Sequence, residues 1–211
     1  MRSSKLFYAL IAAIVLIHAA AASAATIDMD DPRRLVGREN DVRVDARVGQ
    51  DTVSPGNAIG VVYQVQNLSP APIAIADKVT VASYDPETRT ITVSIGAEVP
   101  DEGKMPHLVL IAPGEKKIFR TGATPQFSAV VRSSGASPRL LEVKVSFLRD
   151  VTPFEALVNH TGTMLTDAQF DQWFESNDTI YLNTVPVRFS PRGDGADYGA
   201  DQRTASRSAS W

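Results

Sequence analysis

The sequence has no cysteine, so neither a disulfide nor a thiolate nucleophile or metal ligand enters its chemistry. Histidine is nearly as scarce. Of three, His18 lies in an N-terminal apolar run, which leaves His107 and His160. There is no G-x-S-x-G, no H-E-x-x-H, no phosphate-binding loop and no G-x-G-x-x-G opening a helix. None of the familiar catalytic constellations is written in the chain, and no cofactor is implied, so we read it as non-enzymatic. The formal net charge is -3, and no clustered basic face is visible along the sequence. That argues against nucleic acid as a partner, because phosphate neutralisation needs such a face. A basic amphipathic helix of the membrane-surface type is also missing.

What is present starts with export. Arg2 and Lys5 precede an apolar run from Leu6 to Ile17, and Ala22-Ser23-Ala24 supplies small residues for cleavage. This is the pattern of a secretory signal peptide over 1–24, so a periplasmic or secreted location is expected, with no stable membrane insertion after cleavage. The apolar run stops at His18, short of the roughly 20 residues a spanning helix requires. Residues 25–40 read as a polar leader without a sustained period, 41–189 as one domain, and 190–211 as a disordered tail rich in Gly, Ala, Ser, Asp and Arg. Without disulfides, that domain must be stabilised by its core, which about 150 residues can readily bury.

Within the domain the dominant signal is period-two alternation. Val42, Val44, Ala46 and Val48 alternate with Arg43, Asp45 and Arg47; Ile59, Val61, Tyr63 and Val65 alternate with Gly60, Val62, Gln64 and Gln66. Ile73 and Ile75 form a short strand. Val79 and Val81, then Ile91, Val93 and Ile95, flank Asp85-Pro86-Glu87-Thr88 as a hairpin. The continuous run His107–Ala112 has the composition of a strand buried on both faces. Lys116–Thr121, Phe127–Arg132, Leu141–Phe147 and Thr179–Phe189 complete the set, the last with Pro186 marking an edge or a bulge. Many short strands punctuated by Gly and Pro predict an all-β fold, an immunoglobulin-like antiparallel β-sandwich. One helix is expected, as an insertion before the last strand. Thr166 and Gln169 form a capping box there, and Leu165 and Phe170 a hydrophobic staple.

The run Val61–Ile73, with its V-x-Y-x-V-x-N-x-S-x-x-P-I character, and the later Ala112-Pro-Gly-Glu115 and Arg120, resemble bacterial periplasmic immunoglobulin-like domains. The N-terminal domain of pilus chaperones is the nearest echo, including Glu175-Ser176, Tyr181-Leu-Asn183 and Val185-Pro186. The resemblance implies the sandwich fold. It assigns no binding residue, because the basic pair with which those chaperones grip a subunit carboxylate has no placed counterpart.

Two groups of residues stand out as candidate sites. Phe170, Trp173 and Phe174 share one helix face at i, i+3 and i+4, opposite Asp167, Asp171 and Glu175. That face either packs over the open end of the sandwich or forms a platform for a partner or a sugar ring. Met105-Pro-His107 and His160-Thr-Gly-Thr-Met164 place a thioether near an imidazole twice, and such ligands suit copper if the two pairs converge. The expected function is therefore a non-catalytic exported module that binds another protein. The alternatives are a chaperone-like or copper-handling protein, or an enzyme whose site only the fold reveals. The stretch Asp150–Asp178 exceeds what closing two strands requires, which makes it the expected contact region.

Overall fold

The computed structural model describes residues 30–127 and 136–191. The expected signal peptide, the strand residues after Phe127 and the tail from residue 192 lie outside the described residues. Two sheets pack face to face. The first has the order β1-β2-β4-β9, formed by β1 (Arg34–Glu39), β2 (Val42–Val48), β4 (Ile59–Asn67) and β9 (Lys116–Ala123), all antiparallel. The second runs β6-β7-β10-β5-β8, with β5 (Ile73–Ile75), β6 (Thr80–Asp85), β7 (Thr90–Ile95), β8 (Val109–Ile111) and β10 (Leu140–Leu148). Strands β11 (Asn177–Tyr181) and β12 (Val185–Pro186) also pair with β10, and β3 (Thr52–Val53) forms a small ladder with β13 (Arg188–Phe189). The chain is an all-β sandwich with one helix, α1 (Asp167–Ser176), before the last strands.

The core follows from the alternation. Val44, Ile59, Tyr63 and Val65 of the first sheet and Ile91, Val93, Val143 and Val145 of the second are all fully buried in one cluster. Tyr63 and Val145 thus lie on facing sheets, and the Tyr63 ring stacks on Phe119 with centroids 5.0 Å apart. Burial pushes the Tyr63 phenol pKa upward, because a phenolate there would lose its water. At the corner after β4, Asn67 is fully buried. Its Nδ2 donates to the carbonyls of Ala71 (2.8 Å) and Ile111 (3.0 Å), while its Oδ1 accepts from Ser69 N and Oγ. One amide therefore ties the end of the first sheet to β8 of the second.

Strand β10 organises the second sheet. Leu148 pairs with both Asn177 and Ala74, and Leu141 with both Ile91 and Val185. A residue has only two ladder edges, so β5 and β7 share one side of β10 while β11 and β12 share the other. The β7–β10 ladder is parallel, a departure from the purely antiparallel sandwich that the alternation suggested.

Four further expectations are corrected. Part of the polar leader is β1: only Leu35 and Gly37 face inward at its centre, so no apolar period marks it. A Cβ on Gly37 would lie 2.6 Å from Ile180 Cγ2 and 2.9 Å from the Tyr181 carbonyl, which shows how closely β1 crosses β11. Val81 is exposed, and the β6 residues turned inward are Ala82 and Tyr84, the opposite phase to that expected. Leu110 is exposed as well, because β8 lies at the end of its sheet; the strand buried on both faces is β5. Finally, a clustered basic face does exist. The outward positions of the first sheet bring together Arg34, Arg38, Arg43, Arg47, Lys116 and Arg120, which no sequence window contains.

Candidate functional site

Strands β10 and β11 are neighbours that need almost no connection. Leu148 pairs with Asn177, where a hairpin could close in about two to five residues. Instead residues 149–176 intervene and build a third layer on the outer face of the second sheet. A 3-10 turn (Thr152–Phe154) buries Phe154, and α1 follows. The helix begins where the sequence places it. Thr166 accepts from the Gln169 backbone N–H, and Gln169 Oε1 accepts from the Thr166 N–H, so two otherwise unpaired donors are satisfied.

This layer has its own apolar core. Trp173, Phe154, Met105, Leu108, Leu165, Ala74 and Leu148 are buried in a cluster separate from that between the sheets. Trp173 is 1% exposed, its Nε1–H donates to the Ala97 carbonyl at 3.1 Å, and its ring meets Phe154 edge-on at 5.4 Å. The structure thus splits the aromatic face expected from the sequence. Trp173 is a structural anchor, Phe170 is half-buried against the cluster, and Phe174 is 48% exposed. Phe170 and Phe174 meet edge-on at 5.1 Å, so the exposed ring is fixed by the half-buried one.

The two Met/His pairs come together at the level of the backbone. Met105 N donates to Thr163 O (2.8 Å), Gly162 N donates to Met105 O (2.8 Å), and Lys104 and Met164 form an isolated bridge. Their side chains do not share a face. Met105 is buried in the second core, whereas Met164 is 60% exposed on the other side of the bridge. His107 is exposed and its Nδ1 lies 2.7 Å from Asp77 Oδ1, and His160 is exposed. Among the described residues no three His, Asp or Glu side chains are grouped so as to hold a metal ion.

A feature without any sequence signal lies at the root of the insertion. A cleft of about 350 Å³ opens between the β1–β2 turn, the β4–β5 corner and the junctions of 149–176 with β10 and β11. Val42, Ile73 and Phe147 floor it, and Asp41, Asp150 and Asp178 stand on its rim. Arg149 braces one side: its Nη1 lies 3.6 Å from Asp178, and its Nη2 donates to the Glu175 carbonyl at 2.7 Å, near the negative end of α1. Four separate connections contribute to it, so nothing local in the chain announces it. No protein-family model matches the chain, and no curated protein is significantly similar to it.

Proposed function

We propose that the chain is an exported, non-catalytic module that binds another protein through the insertion between β10 and β11. The observation that supports this reading is how the insertion divides its apolar residues. It buries Trp173 and Phe154 as anchors but leaves Phe174 half exposed and Met164 60% exposed, the latter beside the loop in which Val99 is exposed as well. Covering Ala74 and Leu148 accounts for the buried anchors, but not for holding an aromatic ring and a thioether in water. Rigid aromatic and methionine side chains on an ordered scaffold are the kind of contact that protein interfaces favour. The acidic residues Asp167, Asp171 and Glu175 on the same helix suit a partner that combines apolar and basic groups.

Replacing the whole insertion would uncover Ala74 and Leu148 in the second core, so point variants are the better test. Phe174→Ser removes the exposed ring without touching Trp173. The mature protein, expected to begin at Ala25, is used as bait beside the variant, with circular dichroism confirming equal folding. Loss of the co-purifying partner in Phe174→Ser supports the reading; full retention of every partner by a Phe174→Ser, Met164→Ser double variant overturns it.

A further inference from the structure

The outward face of the first sheet is a grid whose register is fixed by the ladders. Across β1, β2, β4 and β9 one row reads Arg34, Arg47, Val62, Arg120, the next Val36, Asp45, Gln64, Ile118, and the third Arg38, Arg43, Gln66, Lys116. Six cations and one carboxylate therefore occupy an area about 14 Å across and about 14 Å along the strands. Asp31 and Asp41 stand at its margin, and the other described groups of acidic residues lie at the cleft, on α1 and in the 97–103 loop.

This arrangement works against the free fold. Arg34 stands directly opposite Arg47, and Arg38 opposite Arg43, and like charges at such positions are destabilising. The repulsion is only partly offset. Asp45 is shared by Arg34 and Arg43, Asp31 lies 3.6 Å from Arg47, and Asp41 lies 3.6 Å from Arg38 with both side chains exposed. Lys116 and Arg120 make no ion pair among the described residues, and Arg34 Nε is buried without an acceptor. A local conflict of this kind in an otherwise consistent sheet points to use.

The geometry points to peripheral docking of this sheet face on an anionic phospholipid surface. The face offers smeared positive charge rather than shape. Its described outward positions carry no aromatic side chain on which a base or sugar ring could stack, which distinguishes it from single-stranded nucleic-acid platforms. Guanidinium forks pair with phosphate oxygens in two-pronged fashion; Arg38, Arg43, Arg47 and Arg120 reach solvent and can do so, while Arg34 is largely buried against Asp45 and adds charge only. Adsorption of this kind needs no membrane-crossing helix, and it leaves the insertion on the far side of the second sheet free for the partner proposed above.

The test is sedimentation of the protein with vesicles of phosphatidylglycerol and phosphatidylcholine at low salt, against vesicles of phosphatidylcholine alone. The mature protein, expected to begin at Ala25, is used, so that neither the apolar run at residues 6–17 nor Arg2 and Lys5 before it contributes to the preference. Each cation near an anionic bilayer strengthens binding about fivefold. The double variant Lys116→Gln, Arg120→Gln, which breaks no ion pair, should weaken anionic-vesicle binding on the order of 25-fold and leave thermal stability unchanged. A control variant, Lys78→Gln with Arg139→Gln, removes the same charge outside the face at the cost of only the exposed Lys78–Asp77 pair at 3.5 Å, and should weaken it less than about threefold. Equal weakening by both variants, or no preference of the wild-type protein for anionic vesicles, overturns the proposal. So does binding to an acidic polysaccharide or to nucleic acid without binding to vesicles.

Discussion

Replacing Asn67 tests whether one amide joins the two sheets. Asn67→Ala removes four side-chain hydrogen bonds at a fully buried site. The Ser69 groups lie near the surface and recover water, and the Ala71 carbonyl keeps its bond from Ser69 Oγ at 2.8 Å. The lasting loss is the bond to the Ile111 carbonyl plus a small cavity. At about 1 kcal/mol per bond, with partial recovery, the cost is about 2–3 kcal/mol. For a domain of this size that lowers Tm by about 4–12 °C. Asn67→Asp is the sharper probe, because it keeps the shape and loses only the donors. Its carboxylate would face two carbonyl oxygens in a buried site, so its folded pKa must rise above the unfolded one. The folded state then binds the proton more tightly, and stability falls as pH rises through that window. Thermal melts of the Asp variant should therefore improve from neutral to mildly acidic pH relative to those of the Ala variant. If both variants melt within about 2 °C of wild type, the corner is not held by this side chain.

Two further outcomes follow from the same structure. Gly37→Ala places a methyl group against Ile180 and the Tyr181 carbonyl, where backbone cannot rotate away, so a loss of about 1–3 kcal/mol is expected in urea unfolding; an unchanged midpoint would mean that β1 does not lie against β11. The Asp31 carboxyl is held down to about 2, chiefly by its hydrogen bonds from Arg33. Because this folded value lies below the ordinary 3.8, its contribution to stability is complete above that ordinary value and is lost as pH falls toward 2. A carboxyl-carbon NMR titration should show a midpoint near 2 that returns toward the ordinary range in Arg33→Gln.

The parts of the fold legible in the sequence were those where one face of a strand is apolar and the other is not. Strands β2, β4, β7 and β10 state this directly, and the capping box of α1 is a local signal that the structure reproduces atom for atom. Strand β1 was hidden because its inward positions are a leucine and a glycine, and glycine carries no hydrophobic signature even where its smallness is what the packing requires. The phase of β6 was misread because Val81 is more apolar than Ala82; position in the sheet, not hydropathy, decides which turns inward. The aromatic stripe on α1 was visible, but how it divides between buried Trp173 and exposed Phe174 depends on where residues 97–105 pass. The cleft and the cationic face are made by register between distant strands. A net charge averages over a whole chain and hides any segregation within it.

Strand β10 places Phe147 in the core between the sheets and Leu148, the next residue, in the core beneath the insertion. Strand β5 does the same with Ile73 and Ala74. The two apolar clusters are therefore the two faces of the same pair of strands, and neither can melt while the other stays packed. Residues 96–139 must also be placed before the parallel ladder between β7 and β10 can form, so the pairing that joins everything carries a large loop-closure cost and belongs with slow-folding topologies. Amides along β10 should then exchange with solvent only through opening of the whole domain, and the helix of the insertion, although added at the surface, shares the fate of the strand beneath it.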